Sequence, residues 1–124
     1  MGAKRFTELR AWQLARQLKV EVDRTILANP AAQADRRFFD QVSDAVRSAP
    51  RNLAEGFGRY SHREFAQFTR VAKASLAETQ NHILDAKDRH FIDEATYDQL
   101  WQLSDAALAS ATALLKYLTS RPAR

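Results

Sequence analysis

Residues 61–89 read SHREFAQFTRVAKASLAETQNHILDAKDR, and this stretch decides the fold. Ser61-x-x-Glu64 is a capping box, in which the serine hydroxyl accepts from the Glu64 amide and the Glu64 carboxylate reaches back to the Ser61 amide. It sets the start of a helix. Beyond it Phe65, Phe68, Ala72, Leu76, Thr79, Ile83 and Ala86 recur at intervals of three and four, a near-heptad seam that packs at shallow angles in helical bundles. The seam predicts a helix over 61–89, closed by a turn at residues 90–92.

The same periods extend in both directions. Upstream, Asp35 is a candidate N-cap for a helix over 35–57 whose apolar stripe is Phe38, Val42, Ala45, Val46, Ala49, Leu53 and Phe57. The phase holds across Pro50, which removes one backbone hydrogen bond and collides with the preceding turn; a kinked continuous helix is expected, with two helices broken near Ser48 as the alternative. Gly56 and Gly58 supply the stop. Further upstream, Ala11, Leu14, Ala15, Leu18, Val22 and Ile26 mark a helix over 7–28, capped by Thr7 and ended by Asn29-Pro30, with residues 29–34 as a loop. Downstream, Asp93 caps a helix over 93–119 with Tyr97, Leu100, Ser104, Ala107, Ala111, Leu114 and Leu118 on its seam. Short loops between helices of this length predict an all-α fold, an antiparallel up-down-up-down four-helix bundle with helix 2 kinked at Pro50, as one domain over 1–124.

Composition agrees. Only three Gly and three Pro interrupt 124 residues, too few punctuators for many short strands. Cysteine is absent, which excludes disulfides, thiolate metal sites and cysteine nucleophiles and fits a reducing compartment. No apolar run approaches the ~18 residues of a membrane span, and charges stand in Met1–Arg10 where a signal peptide has its apolar stretch. A cytoplasmic protein with no membrane partner is expected. The net charge is +4, and the excess gathers in the middle third. Between Ala45 and Ser75, Arg47, Arg51, Arg59, Arg63, Arg70 and Lys73 stand against only Glu55 and Glu64.

No catalytic or cofactor motif emerges. A ferritin-like di-metal site needs Glu-x-x-His pairs, and none of His62, His82 and His90 has a Glu three residues before it. Glu78 and His82, four apart, share a helix face but lack a third ligand, so metal and cofactor are both expected to be absent. Gly56-Phe57-Gly58 follows a helix instead of a strand and is a corner, not a dinucleotide loop. The basic residues are the candidate nucleic-acid-binding set, with Arg59, His62 and Arg63 at a helix start that already favours anions. Asn52, Glu55, Ser75 and Glu78 border the apolar stripes of the second and third helices; a hydrogen-bonded network that fixes register is expected of them. Trp12, Tyr60, Trp101 and Tyr117 exceed what the narrow seams hold, which points to a broadened core face or a subunit interface.

The order Phe6-x-x-Leu9-x-x-Trp12, Gln41-x-x-x-Ala45-x-x-Ser48-Ala49-Pro50-Arg51-Asn52-Leu53-Ala54-Glu55-Gly56, Glu64-Phe65-x-x-Phe68 and Ala74-Ser75-Leu76-x-Glu78 resembles bacterial four-helix-bundle proteins encoded in intervening sequences of 23S rRNA genes. The resemblance covers nearly the whole chain and implies an antiparallel bundle assembled as a homopentamer. The fold is also similar to that of the accessory variability determinant of diversity-generating retroelements, a basic pentameric barrel that engages a reverse transcriptase and nucleic acid. That likeness implies RNA, DNA or a reverse transcriptase as partner. It carries no catalytic residues over. Ala74 stands where the family usually has glycine, and Arg51 where it usually has a small residue.

Three functions follow for weighing. One is a non-enzymatic oligomeric scaffold that binds RNA or DNA backbone through summed phosphate contacts. Another is a protein-interaction adaptor, such as an accessory subunit of a reverse transcriptase. The third, a helical ribonuclease of toxin type, needs an Arg four to six residues before a His, and no histidine here has one.

Overall fold

The computed structural model describes residues 2–120, and all regular structure in them is helical. A single 3-10 turn, Phe6–Glu8, precedes α1 (Arg10–Thr25), α2 (Pro30–Ala34), α3 (Arg36–Phe57), α4 (His62–Asp88) and α5 (Glu94–Thr119). The four long helices are those expected, but two ends of the first differ. Thr7 lies in the 3-10 turn and does not cap α1; extended Leu9 precedes the helix, and Gln13 Nε2 secures the turn by donating to the Thr7 carbonyl at 2.9 Å. Residues 30–34, expected as loop, form the short helix α2. The helix expected to run to 28 and stop at Asn29-Pro30 ends earlier, at Thr25, and Asn29-Pro30 is instead a start signal: the Asn29 carboxamide oxygen accepts from the Ala31 amide at 2.8 Å, and Pro30 occupies the first helical position, where no amide is needed.

The other three caps match the sequence. Asp35 accepts from the Phe38 amide, Ser61 from the Glu64 amide and Asp93 from the Thr96 amide, at 3.1, 3.1 and 2.8 Å. The capping box closes differently on its return side, with the Glu64 carboxylate meeting the Ser61 hydroxyl at 3.3 Å. Helix α3 runs unbroken through Pro50, so the alternative of two helices does not apply. His90 sits at φ 60°, and its amide and that of Phe91 donate to the carbonyls of Lys87 and Ala86 at 3.0 and 2.9 Å. This is a Schellman stop for α4, with histidine in the left-handed position that glycine usually takes.

Around the bundle the sequence of neighbours is α1, α3, α4, α5 and back to α1, with α2 lying against α3. Ring pairs near both ends of α3 and α4 give their relative direction. Phe57 meets Phe65 edge-on with ring centroids 6.2 Å apart, while Phe38 at the start of α3 meets His82 near the end of α4, also at 6.2 Å. The two helices therefore run antiparallel. Helices α4 and α5 do likewise, with Lys87 over the Tyr97 ring and the His62 and Tyr117 rings 5.6 Å apart. The main core joins all four long helices, and a second cluster of Leu9, Phe65, Ala66 and Leu118 closes one end. Hydroxyls of Thr69, Thr79 and Ser104, all buried, return to carbonyls of their own helices at 2.7–2.8 Å. Among the described residues no buried side-chain polar atom is left without a partner, so the core carries no desolvation penalty of that kind.

Gly56 has a packing role, not the stop expected of it. It is buried inside α3, and a Cβ there would lie 2.8 Å from both Phe65 Cδ1 and Phe68 Cβ. The phenyl ring of Phe65 can turn aside; Phe68 Cβ is fixed to the α4 backbone, so the missing side chain sets how closely the helices approach. Gly58, by contrast, ends α3 at φ −78°, and an added Cβ would meet only the Glu55 carbonyl at 3.5 Å. We therefore expect Gly56→Ala to lower unfolding stability by about 1–3 kcal/mol through overpacking, outweighing the ~1 kcal/mol helix-propensity gain. Gly58→Ala should be neutral or stabilising by up to about 1 kcal/mol. Urea denaturation of both variants measures the contrast.

Acid should loosen the far end. The Arg89 guanidinium, 2.6 Å from Asp35, and the Phe38 amide hold the Asp35 carboxyl below its ordinary value of 3.8; the Thr96 amide does the same for Asp93. Both groups bind protons less readily folded than unfolded, so their stabilisation is complete above the ordinary carboxylate pKa and is lost as pH falls through the lower, folded values. Thermal melts taken downward from about pH 5 should show a falling midpoint, and Asp35→Asn should flatten that fall.

Candidate nucleic-acid interface

The Ser75 hydroxyl donates to the Ser48 hydroxyl at 2.7 Å, midway along α3 and α4, and divides the bundle into halves of opposite character. Residues 2–17, 48–75 and 107–120 make up the half that holds the α3–α4 loop. Their cations are Lys4, Arg5, Arg10, Arg16, Arg51, Arg59, Arg63, Arg70, Lys73 and Lys116; their only acids are Glu8, Glu55 and Glu64. The other twelve of the chain's fifteen acidic residues all lie in the opposite half.

Ion pairing follows the same division. Asp23 with Lys19 and Arg47, Glu21 with Arg24, Asp40 with Arg36, Glu78 with His82, Glu94 with Lys87, and Asp35 and Asp85 with Arg89 are all in the acidic half. Among the described residues no Lys or Arg side chain of the basic half forms an ion pair. Arg51, Arg63 and Arg70 are exposed, and Lys73 is half-buried. Arg63 and Arg70, seven apart on α4, project from one line of the helix. Arg59 lies in the loop with its guanidinium carbon 4.6 Å from the Phe68 ring centroid, a cation–π contact that orients it without neutralising it.

Of the six basic residues expected to act together, five fall in this half. Arg47 does not: its Nη2 bridges both Asp23 oxygens at 3.0 Å and its Nη1 reaches the Ser43 hydroxyl, so its charge is already compensated. The expected polar network is also smaller than the sequence suggested. Asn52 Nδ2 donates to the Ser48 carbonyl at 2.8 Å and hydroxyl at 3.0 Å, and Ser75 joins through the same hydroxyl. Ser48 is thus the hub, while Glu55 is exposed outside the network and Glu78 turns to His82 at 3.4 Å. Among the described residues no cluster of three or more His, Asp or Glu has metal-binding geometry, and no helix is long and apolar enough to cross a membrane.

Comparison with known families matches residues 7–112 to the 23S rRNA-intervening sequence protein. The chain belongs to that family. No curated protein matches it. In this chain the motif from Gln41 to Gly56 meets α4 through Ser48 and Gly56, with Asn52 bonded to Ser48 beside them. Ala74 is exposed, so its methyl group crowds no contact within the chain.

Five cations of the basic half, Lys4, Arg5, Arg10, Arg16 and Lys116, lie outside the stretch where the sequence shows its charge excess. Their signal is topological. When four long helices alternate in direction, the start of the first and the end of the last lie beside the loop between the second and third. A test of the division is Arg47→Ala, which should destabilise the fold without affecting any anion bound at the basic half. With Asp23→Ala in a double-mutant cycle, the coupling should be up to about 1 kcal/mol, as for partly exposed pairs.

Proposed function

We propose that this protein is a non-enzymatic, oligomeric helical scaffold that binds the phosphate backbone of RNA or DNA through its basic half. The observation that carries this reading is that, among the described residues, the cations at one end have no carboxylate partners while the remaining cations are mostly paired. Concentrated like charge raises the energy of the folded state and lowers it again when a polyanion supplies the counter-charge and releases its own counterions. The contacts need no cofactor, and the ligand class is consistent with a cytoplasmic protein.

The oligomeric part draws support from α5. Ala95, Gln99, Gln102, Ala106, Ala109 and Ala113 are all exposed, uncharged and spaced by alternating fours and threes, the spacing of a second helix-packing seam on the solvent side. Copies joined there would place several basic ends on one particle and multiply weak phosphate contacts by avidity.

Fluorescence anisotropy of a short labelled RNA, titrated at several salt concentrations, tests the proposal. Affinity should fall steeply with salt and vary little with sequence. Arg63→Glu and Arg70→Glu should weaken binding, and each should reduce the slope of log K against log salt by about one for every phosphate that is no longer neutralised. Arg36→Glu, in the acidic half, should change neither. Binding that ignores salt, or that responds equally to all three substitutions, would contradict the proposal. Light scattering should give a mass several times that of the chain, reduced by Ala106→Glu.

A further inference from the structure

Of the four large rings that the seams could not hold, three are accommodated. Trp12 packs against both hydrophobic clusters, Trp101 lies 5.6 Å from Tyr97, and Tyr117 meets His62. Tyr60 is different. Its relative exposure is 105 %, against at most 49 % for the other exposed large hydrophobic residues.

Its backbone is nonetheless held. On one side the amides of Gly58 and Arg59 donate to the carbonyls of Glu55 and Gly56 at 3.2 and 3.0 Å, and on the other the Ser61 cap fixes the first turn of α4. A ring carried on a braced corner loses little freedom when something covers it. Arg59 turns back over Phe68, and Arg63 projects from α4 just beyond the cap. An aromatic face exposed to solvent thus stands in the chain between two arginines that have no carboxylate partner among the described residues.

We propose that Tyr60 is a stacking platform for an unpaired base, and that the basic half takes single-stranded nucleic acid in preference to duplex, an inference that rests on the phosphate-binding reading above. A nucleotide offers both of the groups this corner lacks, a π-face for the ring and a phosphate for Arg59 or Arg63. An apolar protein surface would cover the ring at the expense of burying arginines without counter-charges. In duplex the base faces are already covered by their neighbours, so only an unpaired nucleotide can present one.

The full chain is titrated with labelled oligouridine and with an RNA duplex carrying the same number of phosphates. The wild type should bind the single strand more tightly. Tyr60→Ala should lose about tenfold or more of single-strand affinity and none of the duplex affinity, while Tyr60→Trp keeps both. Because the side chain lies outside the core, melting temperature should be unchanged in both variants. Unaltered single-strand binding by Tyr60→Ala, an equal loss on both ligands, or a change in assembly mass would overturn the stacking role and leave the phosphate reading intact. If the wild type binds neither ligand at low salt, both fall together.

Discussion

The missing side chain at Gly56 governs how α3 meets α4, and much else follows from that approach. With no Cβ between them, the α3 backbone comes down onto Phe65 and Phe68, and the chain can reverse within four residues, 58–61. Farther along, the Ser75–Ser48 hydrogen bond fixes the register of the same pair, and at the far end Arg89 spans from α4 to Asp35 while stacking on Phe38 and Phe91. Close approach, polar register and a charged clasp thus act at three heights. Helices α1 and α5 complete the core against this pair.

The tight reversal also shapes the surface. A short corner leaves Arg59 and Tyr60 no room to fold into the core, and it brings Arg63 and Arg70 on α4 into the same half as Arg51 on α3. The segment leading into α1, the first part of α1 and the end of α5 add Lys4, Arg5, Arg10, Arg16 and Lys116. Stability alone would favour interspersing the signs, since like charges at one end repel. The chain instead keeps twelve of its fifteen acids at the other end, where several form cap bonds and ion pairs. That separation is the main reason to look for a polyanionic ligand.

Much of the fold was legible because the signals are local. The stripe through Val22 is wholly buried, those through Val42, Leu76 and Ala107 are buried apart from Phe57, Phe68, Tyr97 and Leu114, and Asp35, Ser61 and Asp93 cap where their sequence positions suggest. The sequence misleads where one residue or pair supports two structures: Asn29-Pro30 reads as a stop for α1, which ends at Thr25, but begins α2, and Gly56 looks like punctuation but serves a contact across helices. Nothing local marks such a contact. The site was half legible for the same reason. Arg51, Arg59, Arg63 and Arg70 stand out along the chain, but the compensation of Arg47 by Asp23, 24 residues earlier, requires knowledge of which helices touch.

The most direct test of the central claim, that the bundle is electrostatically two-ended and binds through one end, is a backbone amide NMR titration of the isotope-labelled protein with short oligouridine. Shifts should appear in residues 2–17, 48–75 and 107–120, be largest between Gly58 and Arg70, and fade as salt is added. Shifts spread evenly over both halves, or centred on the acidic end around Asp35 and Arg89, would contradict the account.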